Sequence, residues 1–129
     1  MEQEPGVYVV PEPGTRVLRV IRNPVPYASV SELVRVLDEI DHQLASVDRA
    51  THALLIDMRR VQGRTEPDFE AAFRHWRMRL IKGFAKVAVL LETEAGVAQA
   101  QRYIKQDQLP TRVFLDEADA LAWLETADE

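Results

Sequence analysis

The first third of the chain changes from a strand-like to a helix-like apolar pattern. Two runs rich in β-branched residues, at 6–10 and 17–22, are separated by Pro11, Pro13 and Gly14. Such runs predict strands, and the short proline- and glycine-containing interval predicts a tight connection between them. An antiparallel pair of strands is therefore expected at the start of the fold.

The next segment has the spacing of an amphipathic helix. Ser29, followed three residues later by Glu32, forms a capping box that predicts the start of this helix. Apolar residues then recur at intervals of three and four, which predicts one buried helical face. These residues are Leu33, Leu37, Ile40, Leu44 and Val47.

A continuous apolar run at 53–56 ends in Asp57 and predicts a strand covered on both faces. The loop at 58–66 carries three arginines and a glycine, after which Pro67 suits the first position of a helix. That second helix is predicted to run to about Ile81 and to end at Gly83. The candidate chemistry of the chain is concentrated around this loop.

The last third repeats the alternation. A second buried strand is expected at 87–91, a third helix capped by Thr93, a short strand at 113–115 and a fourth helix capped by Asp116. Val97, Ala100 and Ile104 are expected to face inward from the third helix. The apolar side of the fourth helix is predicted at Ala118, Leu121, Ala122 and Leu124.

These elements predict one α/β domain over residues 1–129, in the order β-β-α-β-α-β-α-β-α. Strands that alternate with helices imply parallel pairing through helical crossovers. We expect a mixed, largely parallel sheet of four or five strands with four helices.

Composition removes several classes of function. The chain has no cysteine, so it has neither disulfides nor thiolate chemistry. Its five glycines do not form a dinucleotide or phosphate-binding motif, and its serines lack a nucleophile elbow. Asp38, Asp41 and His42 share a helical neighbourhood, but a solvated acidic face is the better interpretation of them. We therefore predict a protein that is not an enzyme and has no catalytic residue, cofactor or metal site.

Charge and hydropathy restrict the partners. A net charge of −5 argues against nucleic-acid binding. The longest apolar stretch, 84–91, is interrupted by Lys86 and is far shorter than a membrane span. The first residues do not form a secretory signal, so a cytoplasmic location is expected. Locally, residues 57–86 carry eight basic and four acidic side chains, which leaves this stretch at +4 and the remainder at −9.

The loop after the central strand is the candidate binding site. Ligands of open α/β sheets collect beyond the carboxyl ends of the strands, and a helix amino terminus flanked by arginines suits an anion. The predicted partner-binding or anion-binding residues are Asp57, Arg59, Arg60 and Arg64. An ordinary solvated loop, balanced by the acidic residues at 66, 68 and 70, is the alternative. A basic stripe formed by Arg74, Arg77 and Lys82, which would suit acidic protein or lipid headgroups, is a further interpretation.

Three segments carry a resemblance to a known family: ALLIDMR at 53–59, the apolar run at 84–91 and the ending VFLDEADALAWL at 113–124. Together they resemble the STAS/SpoIIAA-like proteins over almost the whole chain. The resemblance implies a domain that acts through protein contacts, without catalysis of its own. The related Sec14-like branch implies the alternative function, a carrier or sensor of a lipid or of another small hydrophobic or anionic ligand.

The same resemblance implies a phosphorylation site. In the anti-sigma-factor antagonists of the family, a serine or threonine at the start of the second helix accepts phosphate. Thr65 stands at about that point and is the candidate phosphoacceptor, although Arg64-Thr65-Glu66 replaces the usual aspartate-serine pair. A homodimer is also an expectation, because the first strand lies at a sheet edge. Pro11 and Pro13 limit such pairing at one end.

Overall fold

The computed structural model describes residues 7–22, 29–59, 67–108 and 111–126. Its strands and helices follow one another in the predicted order, with a short 3₁₀ helix before the central strand. They are β1 Val7–Pro11, β2 Val17–Arg22, α1 Val30–Leu44, the 3₁₀ helix Arg49–Thr51, β3 Ala53–Asp57, α2 Pro67–Ile81, β4 Lys86–Leu90, α3 Glu94–Asp107, β5 Thr111–Phe114 and α4 Glu117–Glu125.

The sheet has five strands in the spatial order β1-β2-β3-β4-β5. β1 pairs with β2 in the antiparallel sense, and every later pair is parallel. The predicted mixed, largely parallel sheet with four helices is therefore confirmed. Because strands adjacent in sequence are also adjacent in space, β1 and β5 form the two edges.

One face of the sheet is packed against α1 and α2, and we call it the α1/α2 face. Leu18 and Val20 of β2, with Leu54 and Ile56 of β3, alternate along their strands so that their side chains all reach this face. The helices contribute Leu33, Val36, Leu37, Ile40, Leu44, Leu80 and Ile81. The predicted buried face of α1 is confirmed for its four helical members, whereas Val47 lies beyond the helix and packs against the cluster.

The opposite face is packed against α4, and we call it the α4 face. Val17, Ala53, Leu55, Ala88 and Leu90 form its apolar surface. Ala120 and Leu124 of α4 are buried against that surface, whereas Ala118 and Ala122 are exposed. The prediction that Ala118 and Ala122 lie on the buried side was wrong. Three alanines and two leucines are spread around this short helix, so apolar spacing alone did not identify its inner face.

The helix ends agree with the sequence. Ser29 accepts a hydrogen bond from the Glu32 amide at 3.2 Å, and Thr93 and Asp116 cap α3 and α4 in the same way. α2 begins at Pro67 as predicted, and its chain turns away at Gly83, which has a φ of +92°. Within the described part of the chain, no helix combines the length and the apolar character needed to cross a membrane.

Arg49 of the 3₁₀ helix closes the carboxyl end of α2. Its Nη1 donates to the carbonyl oxygens of Arg79, Leu80 and Lys82 at 2.8, 3.0 and 2.9 Å. The last carbonyls of a helix have no partner within the helix, so a cation placed here satisfies several of them at once. The guanidinium also lies 5.0 Å from the centre of the Phe84 ring, which fixes its position.

Candidate functional site

Asp57 is the last residue of β3, and its side chain is directed to the α4 face. The residue is 7% exposed. Its Oδ1 accepts from the backbone amide and Nε of Arg59, at 3.1 and 3.0 Å. Its Oδ2 accepts from Nη2 of Arg59 at 2.8 Å and from Nη1 of Arg19 at 3.3 Å. Both carboxylate oxygens are therefore occupied by groups of the same chain.

Arg19 supplies the second cation from the middle of β2. Val17 and Arg19 share the α4 face because side chains alternate along a strand. Arg19 is 9% exposed, and besides Asp57 it binds Glu12 at 2.6 Å and Glu117 at 2.5 Å. Three carboxylates thus surround one buried guanidinium, which satisfies the requirement that a buried charge be paired.

Glu117 is the first residue of α4, and its carboxylate contacts both Arg19 and Arg59. It accepts from Arg19 and lies 3.4 Å from Nη2 of Arg59. A carboxylate in the first turn of a helix is also favoured by the helix dipole. We call these five residues the charge cluster: Glu12, Arg19, Asp57, Arg59 and Glu117. The cluster connects the β1–β2 turn, two strands, the start of the β3–α2 connection and the start of α4.

The cluster determines the protonation of its members. Burial by itself would raise the pKa of Asp57, but the hydrogen bonds and positive charges of Arg59 and Arg19 outweigh burial and hold this pKa below its ordinary value of 3.8. Hydrogen bonding to Asp57 raises the pKa of Arg59. The pKa of Arg19 is also raised, because its carboxylate partners outweigh the cost of its burial. All three groups are charged near neutral pH.

The structure brings together two of the predicted site residues, Asp57 and Arg59. Arg60, Arg64 and Thr65 lie outside the described residues. Arg19 and Glu117 were missed by the sequence interpretation. The available signal for Arg19 was a single arginine inside the otherwise apolar and β-branched run at 17–21, where a buried charge requires partners from elsewhere in the fold.

A second surface follows along α2. Exposed positions at helical spacing after its first turn define what we call the α2 solvent face: Ala71, Arg74, His75 and Met78, with Lys82 directly after the helix. Met78 is a large apolar side chain among basic residues, and it is 51% exposed.

The other two arginines of α2 are engaged with neighbouring helices. Arg79 forms an ion pair with Asp41 of α1. The guanidinium of Arg77 lies 4.5 Å from the centre of the Tyr103 ring of α3. Arg77 is therefore not part of the exposed basic stripe that was predicted for Arg74, Arg77 and Lys82. The acidic neighbourhood on α1 is partly used by the same ion pair. Over the ranges that the structure describes, no group of three or more potential ligands is placed to hold a metal ion.

Comparison with known proteins gives a family. The SpoIIAA-like family model matches residues 28–125. A crystal structure of an uncharacterized protein with a SpoIIAA-like fold from Shewanella loihica PV-4 is similar to this chain, with a TM-score of 0.69 and 17% identity. The match covers 96% of this chain and 98% of that one. The search of curated proteins gave no match.

Proposed function

Because the chain belongs to the SpoIIAA-like family, we propose that it is a non-enzymatic signalling module that binds a protein partner. The partner docks on the α2 solvent face and on the adjoining connection between β3 and α2. This mode of action is the one that the resemblance to anti-sigma-factor antagonists implies. The surface on α2 supports it directly.

The observation that carries the proposal is the charge pattern of α2 after its first turn. From residue 71 to residue 82 the chain has four lysines and arginines and no acidic residue, although the whole protein has a net charge of −5. Arg74, Met78 and Lys82 lie on the exposed side of this segment. A cationic surface with one central apolar side chain favours a partner of opposite charge through faster encounter and better specificity.

The charge cluster supports binding in preference to catalysis. A general base needs a pKa near the working pH and a free position for the proton it accepts. Asp57 has neither property, since its pKa is lowered and its oxygens bind two arginines. Its contacts with the amide and side chain of Arg59 instead fix the first residues of the β3–α2 connection. A connection fixed at its start loses less conformational entropy when a partner binds.

The experiment is affinity capture from the source cells with a matched control. The test variant is Arg74→Glu/Lys82→Glu, which reverses the two charges of the α2 solvent face. The control is Arg102→Glu/Lys105→Glu, which makes the same change at two exposed positions of α3. We expect a protein that is captured by the wild type and by the control to be lost with the α2 variant. Thermal unfolding of all three proteins checks that the fold is retained.

Two outcomes would contradict the proposal. One is a partner that the α2 variant and the control retain equally. The other is a lipid or other small ligand, found by native mass spectrometry of the purified protein, with no protein captured. The connection is tested separately by Arg64→Glu, which is expected to weaken capture of the same partner.

A further inference from the structure

The two edges of the sheet differ in their free backbone groups. The amide of Glu12 donates to the carbonyl of Val17 at 2.9 Å, which sets the alternation of the β1–β2 ladder. Val9 and Pro11 consequently direct their backbone away from β2. The Val9 amide donates to Oε1 of Gln43 at 3.1 Å, and Pro11 has no amide hydrogen.

The side chain of Gln43 therefore occupies the centre of the β1 edge. The first strand lies at an edge of the sheet, as predicted. The outward donor of Val9, however, already has a partner within the chain. A glutamine and a proline together protect this edge against pairing with another strand.

The β5 edge has no such protection among the described residues. The amide of Leu91 donates to the carbonyl of Phe114 at 2.9 Å, so Phe114 directs its backbone toward β4. Because backbone direction alternates along a strand, Thr111 and Val113 direct theirs outward. No residue in the described ranges forms a hydrogen bond with the outward amide or carbonyl of Val113.

We propose that β5 pairs with β5 of a second copy of this chain, antiparallel and about a two-fold axis at Val113. The two five-stranded sheets then form one continuous sheet of ten strands. In this register the two Val113 residues exchange two backbone hydrogen bonds. Thr111 stands opposite Leu115 of the second copy, the residue that directly follows β5. A two-fold axis repeats that second pair on the other side.

The side chains suit this register. Arg112 lies opposite Phe114 of the second copy, on the same face of the joined sheet. Within one chain the Arg112 guanidinium already lies 5.6 Å from the centres of the Phe114 and Trp123 rings, so its position beside aromatic rings is established before association. A cation placed over an aromatic ring is attracted to it. Leu115, which is 48% exposed, becomes covered by the neighbouring strand.

In this register a second copy of the chain suits the β5 edge better than an unrelated peptide does. An arginine meets an aromatic ring, and an exposed leucine meets a threonine methyl group, at both ends of the same two-fold pairing. An unrelated extended peptide would supply the backbone bonds only. It would need its own side chains to match Arg112 and Leu115.

The test is the solution mass of the purified full chain, measured by sedimentation equilibrium over a range of concentrations. Val113→Pro removes the outward amide hydrogen, and Leu115→Lys places a charge beside the proposed strand pair without altering the backbone. Val10→Lys is the matched control, because Val10 is an exposed apolar residue of the other edge strand, at 44%. We expect the wild type and the control to have twice the monomer mass, and the two β5 variants to have the monomer mass.

Hydrogen exchange gives an independent measurement on the folded wild type. The Val113 amide should be protected in the dimer and should exchange faster in Leu115→Lys, whereas the Val9 amide should be equally protected in both. A wild type that stays monomeric at its highest soluble concentration would overturn the proposal. A dimer that Leu115→Lys and Val113→Pro both retain would also overturn it, because it would show a different interface.

Discussion

The two faces of the sheet are formed by the same strands, but they bury different kinds of side chain. Among the residues whose burial is described, the α1/α2 face buries apolar side chains alone, whereas the α4 face buries Arg19 and Asp57 beside Leu55 and Leu90. Apolar packing is non-directional and contributes most of the stability. Paired charges instead demand particular partners. Our hypothesis is that the α4 face contributes less to stability than the α1/α2 face does. Its main effect is to fix the positions at which α4 and the β3–α2 connection begin.

The largest effect is expected on the α1/α2 face. Leu54 is fully buried at the centre of the sheet, so Leu54→Ala removes apolar contacts and leaves a cavity. Such a change typically costs about 2–5 kcal/mol in the free energy of unfolding. Urea denaturation followed by circular dichroism measures it. A loss well below this range would mean that the face repacks, and the contrast between the two faces would then disappear.

The next effect is expected at Arg19, and it tests whether pairing is what the α4 face needs. Arg19→Met keeps much of the side-chain length but, within the described part of the chain, leaves Asp57 with Arg59 as its one cationic partner. Removal of one partner from a buried ion pair costs about 3–5 kcal/mol, and the remaining contact with Arg59 places this variant at the lower end. Urea denaturation of the purified variant gives the value.

A double-mutant cycle gives the control for that experiment. In Arg19→Met/Asp57→Asn the buried negative charge is removed as well, so the loss should be smaller than the sum of the two single losses. Residues in direct contact show coupling of about 0.5–3 kcal/mol in such cycles. Strictly additive losses would show that Arg19 and Asp57 do not act together, contrary to the 3.3 Å contact between them.

The smallest effect on stability is expected when the pH is lowered, and this effect should be specific to the α4 face. The pKa of Asp57 in the folded protein lies below its ordinary value of 3.8, so the folded state favours the carboxylate. The resulting stabilisation is fully present above pH 3.8 and is lost as the pH falls through the lower, folded pKa. The advantage of the wild type over Asp57→Asn should therefore shrink below pH 3.8. Leu54→Ala, compared over the same pH range, should show no such trend, and a constant advantage over Asp57→Asn would contradict the assignment.

Much of the fold could be predicted because its signals are local. The helical spacing of α1, the caps at Ser29, Thr93 and Asp116, and the start of α2 at Pro67 all depend on residues within one turn of each other. The inner face of α4 could not be predicted in the same way, because alanines lie on both its buried and its exposed sides. There the packing against β3 and β4 decides which alanine is buried.

The candidate site shows the same limit. Asp57 and Arg59 were identified from their place at the end of a central strand, and they are neighbours in the structure. Arg19 and Glu117 are separated from them by 38 and 60 residues, and they meet only through the register of β2 against β3 and the position of α4. A charge cluster assembled from four separate segments leaves only one trace in the sequence, an arginine within an apolar strand.

The contact between Arg49 and the end of α2 affects the electrostatic interaction of that helix with an approaching molecule. The carboxyl end of a helix carries a partial negative charge, which would repel an anionic partner. Here a guanidinium lies on the last carbonyls and cancels that pole. Positive charge therefore lies at the final turn of α2 as well as at Arg74 and Lys82. From Arg74 onward this helix would attract an acidic molecule more strongly than it would without Arg49.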